Sequence, residues 1–210
     1  MTSRFFVLGL LVGICSVTLA SDPSPLKDFC VADSTSSDSV VHVNGKVCKD
    51  SNLVEAEDFF FSGLHIEGNT STPSGNIGTK AIIPGLNTLG ISMARGDFTP
   101  SGFSSHVHPR ASEMVLVLKG RLEVGFVTSN LENRLITKFL QVGDVFVFPQ
   151  GLVHFQRNAR DTTLSAFSSQ NSELSRVSIA CFESNPAIPV DLLAKAFQVY
   201  EKTASQIGGI

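Results

Sequence analysis

Three of the chain's five histidines and one glutamate fall in two short stretches, and they restrict the fold more than any other feature of the 210 residues. The first stretch is Ser105-His106-Val107-His108-Pro109-Arg110-Ala111-Ser112-Glu113. Side chains of an extended strand alternate between faces, so residues i and i+2 share one. A strand here presents His106 and His108 side by side. Glu113 follows a bend at Pro109 and opens the next apolar run. His154 answers from further along the chain. Two imidazoles and a carboxylate from one hairpin, with a third imidazole from elsewhere, make a mixed nitrogen and oxygen metal site. His42 and His65 stand alone and read as packed or surface residues.

The chain around these residues reads as all-β. From Asn87 onward, short apolar runs alternate with turn signals. The runs are Leu89 to Met93, Met114 to Leu118, Leu122 to Val127, Ile136 to Leu140, Val145 to Phe148, Leu164 to Phe167 and Val177 to Phe182. Gly, Pro and Asp break them, as at Gly143-Asp144 and Pro149-Gln150-Gly151. Many short strands with regular turns indicate a sandwich or barrel. Met114 to Leu118 is apolar at every position, which implies burial on both faces and points to oligomerisation. After Pro186 and Pro189 the period changes to about 3.6, predicting a helix through Val190 to Phe197 capped by Asp191.

The N-terminus has a different character. Arg4 precedes an apolar run, Phe5 to Leu19, and small residues around Ala20 suit signal-peptidase cleavage. The run reads as a secretory signal rather than a membrane span. No other stretch is long and apolar enough to span a bilayer. Secretion leaves Cys30, Cys48 and Cys181 in the mature chain. Cys30 and Cys48 flank a Ser-rich loop, Asp33 to Asp38, and can close it, while spacing leaves Cys30–Cys181 and Cys48–Cys181 open. Cys181 itself reads as a small buried hydrophobe. Phe59-Phe60-Phe61 is expected to be buried, and Arg95-Gly96-Asp97 to form a bend. Asn69-Thr70-Ser71 is a glycosylation sequon in a polar stretch. The net charge of -3 offers no footprint for nucleic acid.

His106 to Glu113, followed by Gly120, resembles the first cupin box. Gly143 to Asn158, written GDVFVFPQGLVHFQRN, resembles the second. With Pro84 to Ser92, PGLNTLGIS, they make the mature chain similar to the plant germins and germin-like proteins. That resemblance implies a cupin jelly-roll β-barrel with a C-terminal helical segment. It implies four parts: a signal at residues 1–20, an extension with a disulfide loop at 21–60, the barrel at 61–185 and the helical segment at 186–210. It further implies manganese on His106, His108, Glu113 and His154, a Cys30–Cys48 disulfide, a homo-oligomer (a hexamer) and an apoplastic location.

Superoxide dismutation and a defence role follow from the family, with a small anionic or oxygen-species substrate. True germins oxidise oxalate and line the pocket with two asparagines. One is matched here to Asn87, the substrate-pocket candidate. The other falls on Ala94, and Phe103-Ser104-Ser105 replaces the usual approach to the first box. Oxalate oxidation is therefore disfavoured, since an absent donor to a buried carboxylate costs about 1–3 kcal/mol. The alternative class is a non-catalytic extracellular binding or structural cupin.

Overall fold

A computed structural model describes residues 28–33, 35 and 45–209, and only the backbone of residues 158–160. The expected signal at residues 1–20, His42 and most of the Ser-rich loop lie outside the described residues. The barrel consists of seven strands: β1 (Asn76–Lys80), β2 (Ser92–His106), β3 (Glu113–Lys119), β4 (Arg121–Val127), β5 (Leu135–Gln141), β6 (Val145–Phe148) and β7 (His154–Phe167). All pairings are antiparallel, in the order β1-β2-β7-β3-β6, with β4 on β7 and β5 on β4. β7 is the shared strand. Its first residues pair with β4 and its last with β3, while β2 runs along almost its whole length.

Period-2 alternation sets what faces inward. Val115 and Val117 of β3, Leu122 and Val124 of β4, Leu140 of β5 and Phe148 of β6 form one buried cluster. Full burial of such a side chain is worth about 1.5–3 kcal/mol. Met114 and Leu118, expected to be buried as well, stand half exposed on the outer face of β3 in the single chain.

One irregularity matters for the site. The β2–β7 register shifts between Pro100 and Phe103: Pro100 faces Ala159 and Phe103 faces Arg157. Three steps along β2 therefore match two along β7, which is one extra residue, a bulge. Ser101, inside it, has φ +67°. Without the bulge His106 would face Val153; with it, His106 faces His154.

Five local expectations are corrected. Val177–Phe182 is a helix, α1, not a strand; it packs with α2 (Val190–Phe197) and α3 (Glu201–Gly208) through Phe182, Leu193, Ala194 and Ala204. Cys181 on α1 is free and only half-buried. Asp191 does not cap α2; it sits in the first turn, where it faces Lys195 at 3.7 Å. Phe59 and Phe60 are largely exposed, because Phe59 packs only edge-on against Phe29 and over Gly85.

Arg95-Gly96-Asp97 is the fifth correction. It runs straight within β2. Arg95 and Asp97 share a face by the i, i+2 rule. The Arg95 Nε donates to both Asp97 oxygens at 2.8 and 2.9 Å, and its other nitrogens donate to Asp97 and to the Leu64 carbonyl. Asp97 also accepts the Gly68 amide at 3.0 Å and the Thr162 hydroxyl at 3.1 Å. This buried ion pair pins the 64–68 segment to the barrel. The Cys30–Cys48 disulfide is present. No helix among the described residues is long and apolar enough to cross a membrane.

Burial alone raises the Asp97 pKa, but hydrogen bonds from Arg95 and Gly68 and the Arg95 charge outweigh it and hold the pKa below its ordinary value. A carboxyl of this kind adds stability above its unfolded pKa of about 3.9, and loses it as pH falls through the lower folded value. Asp97→Ala strands the Arg95 charge, so urea denaturation should show a loss of about 3–5 kcal/mol at pH 7. The double replacement Arg95→Met with Asp97→Leu should cost less than Asp97→Ala alone, because no unpaired charge remains.

Candidate metal centre

The bulge in β2 and the turn before β7 together build the site. His106 ends β2 and pairs directly with His154, which begins β7. His108 lies just beyond β2, after Val107 forms a bridge with Ser175. Glu113 opens β3 between Phe148 of β6 and Phe167 of β7. The turn after β6 is tied to the histidine hairpin. Its Gly151 amide donates to the His108 carbonyl at 3.0 Å, and Gln150 donates to the Pro109 carbonyl at 2.9 Å. Gly151 has φ +77°, a conformation that favours glycine.

His106, His108, Glu113 and His154 are all brought together, each at most 5% exposed. One ligating atom from each lies within 4.8 Å of the others. The His106 Nε2 is 3.1 Å from both the His108 and the His154 Nε2. The Glu113 Oε2 lies 3.2 Å from His108, 3.3 Å from His154 and 3.9 Å from His106.

The outward nitrogens fix which atoms face in. His154 Nδ1 donates to the Leu152 carbonyl at 2.8 Å and His108 Nδ1 donates to the Glu173 carbonyl. A carbonyl only accepts, so both rings carry a proton on Nδ1 and turn Nε2 inward. His106 Nδ1 meets the Ser104 hydroxyl at 2.9 Å. Glu113 is divided in the same way. Its Oε1 accepts Gln156 at 2.8 Å and Ser165 at 2.7 Å, while its buried Oε2 has no donor. Phe148 stacks on the His154 ring at 4.5 Å, and Phe167 meets the His108 ring edge-on at 4.8 Å.

Electrostatics point the same way. Burial raises the Glu113 pKa, but the facing imidazoles and the Ser165 hydroxyl lower it by more, and it stands well below the ordinary value. The His106 pKa is lowered, first by burial and then by the neighbouring imidazoles, against the pull of Glu113. The three Nε2 atoms and the Glu113 Oε2 lie 3.1–3.9 Å from one another along these contacts, close enough for one divalent ion to draw on them together. A divalent ion satisfies all four. With three imidazoles and one carboxylate, a six-coordinate ion keeps open positions.

The carboxamide of Asn87, the substrate-pocket candidate, accepts the Lys46 amide, donates to the Lys46 carbonyl and lies against the Cys30 sulfur, bracing the disulfide loop. Asn69 is exposed, and its side chain accepts the Ser71 amide. Gln156, Ser165 and Ser104 were missed from sequence. Ser104 and Gln156 each stand two residues from a histidine ligand on the same strand face, so the i, i+2 rule would have found both. Glu173, at φ +48°, offers a backbone carbonyl that no sequence signal marks.

A family model described as cupin matches residues 75–205. A putative germin-like protein 2-1 of Oryza sativa subsp. japonica is 54% identical over 210 residues, covering 97% of this chain and 96% of that protein. Germin-like protein subfamily 1 member 6 of Arabidopsis thaliana is 52% identical over 198 residues, covering 90% of this chain and 86% of its own. Among solved structures, a recombinant oxalate oxidase in complex with glycolate superposes with a TM-score of 0.84 at 41% identity, over 90% of this chain and 97% of that one.

Gln156→Met keeps side-chain length and removes the donor to Glu113. Chelator competition should show metal affinity falling by about 10–100-fold, with the circular dichroism spectrum unchanged. Acid should release the metal as the imidazoles protonate, and metal-loaded protein should melt at a higher temperature than protein stripped by chelator.

Proposed function

The chain belongs to the cupin family and stands among its germin-like members, and from that premise we propose that it is a secreted, manganese-binding protein of the plant cell wall and apoplast that removes superoxide in defence. The observation that carries the reading is the convergence of three imidazoles and one carboxylate on one buried point. Manganese bound there would supply one-electron exchange, so that one superoxide is oxidised to dioxygen and a second, with two protons from solvent, is reduced to hydrogen peroxide.

The residues of the chain set the conditions for that exchange. His106, His108, His154 and Glu113 hold the ion, and Gln156 and Ser165 keep Glu113 turned toward it through one oxygen. A single carboxylate offsets only part of a divalent charge, so the centre attracts a small anion. Phe148 and Phe167 wall two of the imidazoles. The choice of manganese draws on the germin resemblance; the donor set by itself binds copper or zinc more tightly.

Oxalate oxidation is disfavoured, although an oxalate oxidase is a structural neighbour. Asn87 is committed to Lys46 and Cys30, and Ala94 carries no donor for a second carboxylate. Secretion is supported by the apolar N-terminal run and by the disulfide. A homo-oligomer, a hexamer by family resemblance, is supported by the half-exposed Met114, Leu118, Val145 and Val147 on the outer face of β3 and β6. Asn69 is the proposed glycan attachment point.

Protein secreted from plant cells should contain about one manganese per chain by elemental analysis and should remove superoxide, without releasing peroxide from oxalate. His106→Ala and His154→Ala should each abolish both metal and activity. Full activity in either variant would defeat the proposal. Zinc in place of manganese in the native protein would favour a non-catalytic binding role.

A further inference from the structure

The three imidazoles are not oriented alike. His108 and His154 are fixed by backbone carbonyls, those of Glu173 and Leu152. His106 alone is met by a side chain, the Ser104 hydroxyl, at 2.9 Å from Nδ1. Ser104 is 7% exposed, and His106 is 5% exposed. A neutral imidazole carries one N–H, and the nitrogen that bears it cannot coordinate a metal. A carbonyl can only accept and so forces the proton outward. A hydroxyl both donates and accepts, so it holds the outward proton only while it acts as acceptor.

The place of Ser104 is set by the bulge in β2. Beyond the bulge, Ser104 pairs with Gln156 and His106 with His154. One cross-strand pair thus consists of ligands, and the pair two residues away consists of groups that hydrogen-bond to ligands. Gln156 orients Glu113, and Ser104 orients His106.

Building on the metal-centre reading, we propose that Ser104 is a positioning residue. Its hydroxyl accepts the His106 Nδ1 proton, keeps the His106 Nε2 lone pair directed into the centre and thereby sets metal affinity and ligand field. It touches neither metal nor substrate. His106 is therefore the one imidazole ligand whose orientation a single side-chain replacement alters.

The test compares Ser104→Thr with Ser104→Val, which match in shape and differ in the hydroxyl, alongside Ser104→Ala. Manganese affinity is read by chelator competition on the full-length purified protein, and the coordination sphere by electron paramagnetic resonance of bound Mn(II). Ser104→Val is expected to bind about 10-fold or more weakly than Ser104→Thr. Ser104→Ala should show the same altered resonance as Ser104→Val, and Ser104→Thr should restore the wild-type resonance. Equal affinity and equal spectra for the Thr and Val variants would overturn the assignment while leaving the centre intact. A wild-type chain that takes up no metal would overturn the centre itself and this role with it.

Discussion

Glu113 carries its charge where almost no water reaches, at 3% exposure. Removing a carboxylate from water costs several kcal/mol unless its oxygens are satisfied. The barrel meets that demand asymmetrically. Two neutral donors, Gln156 and Ser165, converge on one oxygen, and the other oxygen faces only imidazole nitrogens. Much of the remaining architecture serves the same end. β7 supplies His154, Gln156 and Ser165, and it is the strand shared between β2, β3 and β4. The apolar cluster of β3 to β6 lies alongside, and Phe148 belongs to both the core and the wall of the site.

The site was largely legible in the sequence because its geometry is local. His-x-His and His-x-Gln are spacings on extended backbone, and face-sharing follows from strand geometry alone. The four ligands needed no long-range information beyond two strands meeting. The losses came where distant partners decide the outcome. Arg95-Gly96-Asp97 looked like a bend because nothing nearby in sequence reveals that Leu64 and Gly68 come to rest on its ion pair. Val177 to Phe182, short and apolar, fits strand or helix by pattern, and packing against the later helices decides for helix.

The polar groups behind the ligands show how a barrel interior can be stratified. Moving two residues along paired strands exchanges a layer of ligands for a layer of hydrogen-bonding groups. Each layer is uncharged except at Glu113, so the centre keeps one fixed negative group against the ion it would hold.

The bulge between Pro100 and Phe103 gives this arrangement an arithmetic character. Whether His106 looks at His154 is decided first by how many residues lie in that corner. Which ones they are is limited by packing, since a Cβ on Gly102 would collide with the Gly75 carbonyl. Loss or gain of one residue would turn the imidazole to the outer surface of the strand and undo the ligand set at a stroke, with every ligand codon intact.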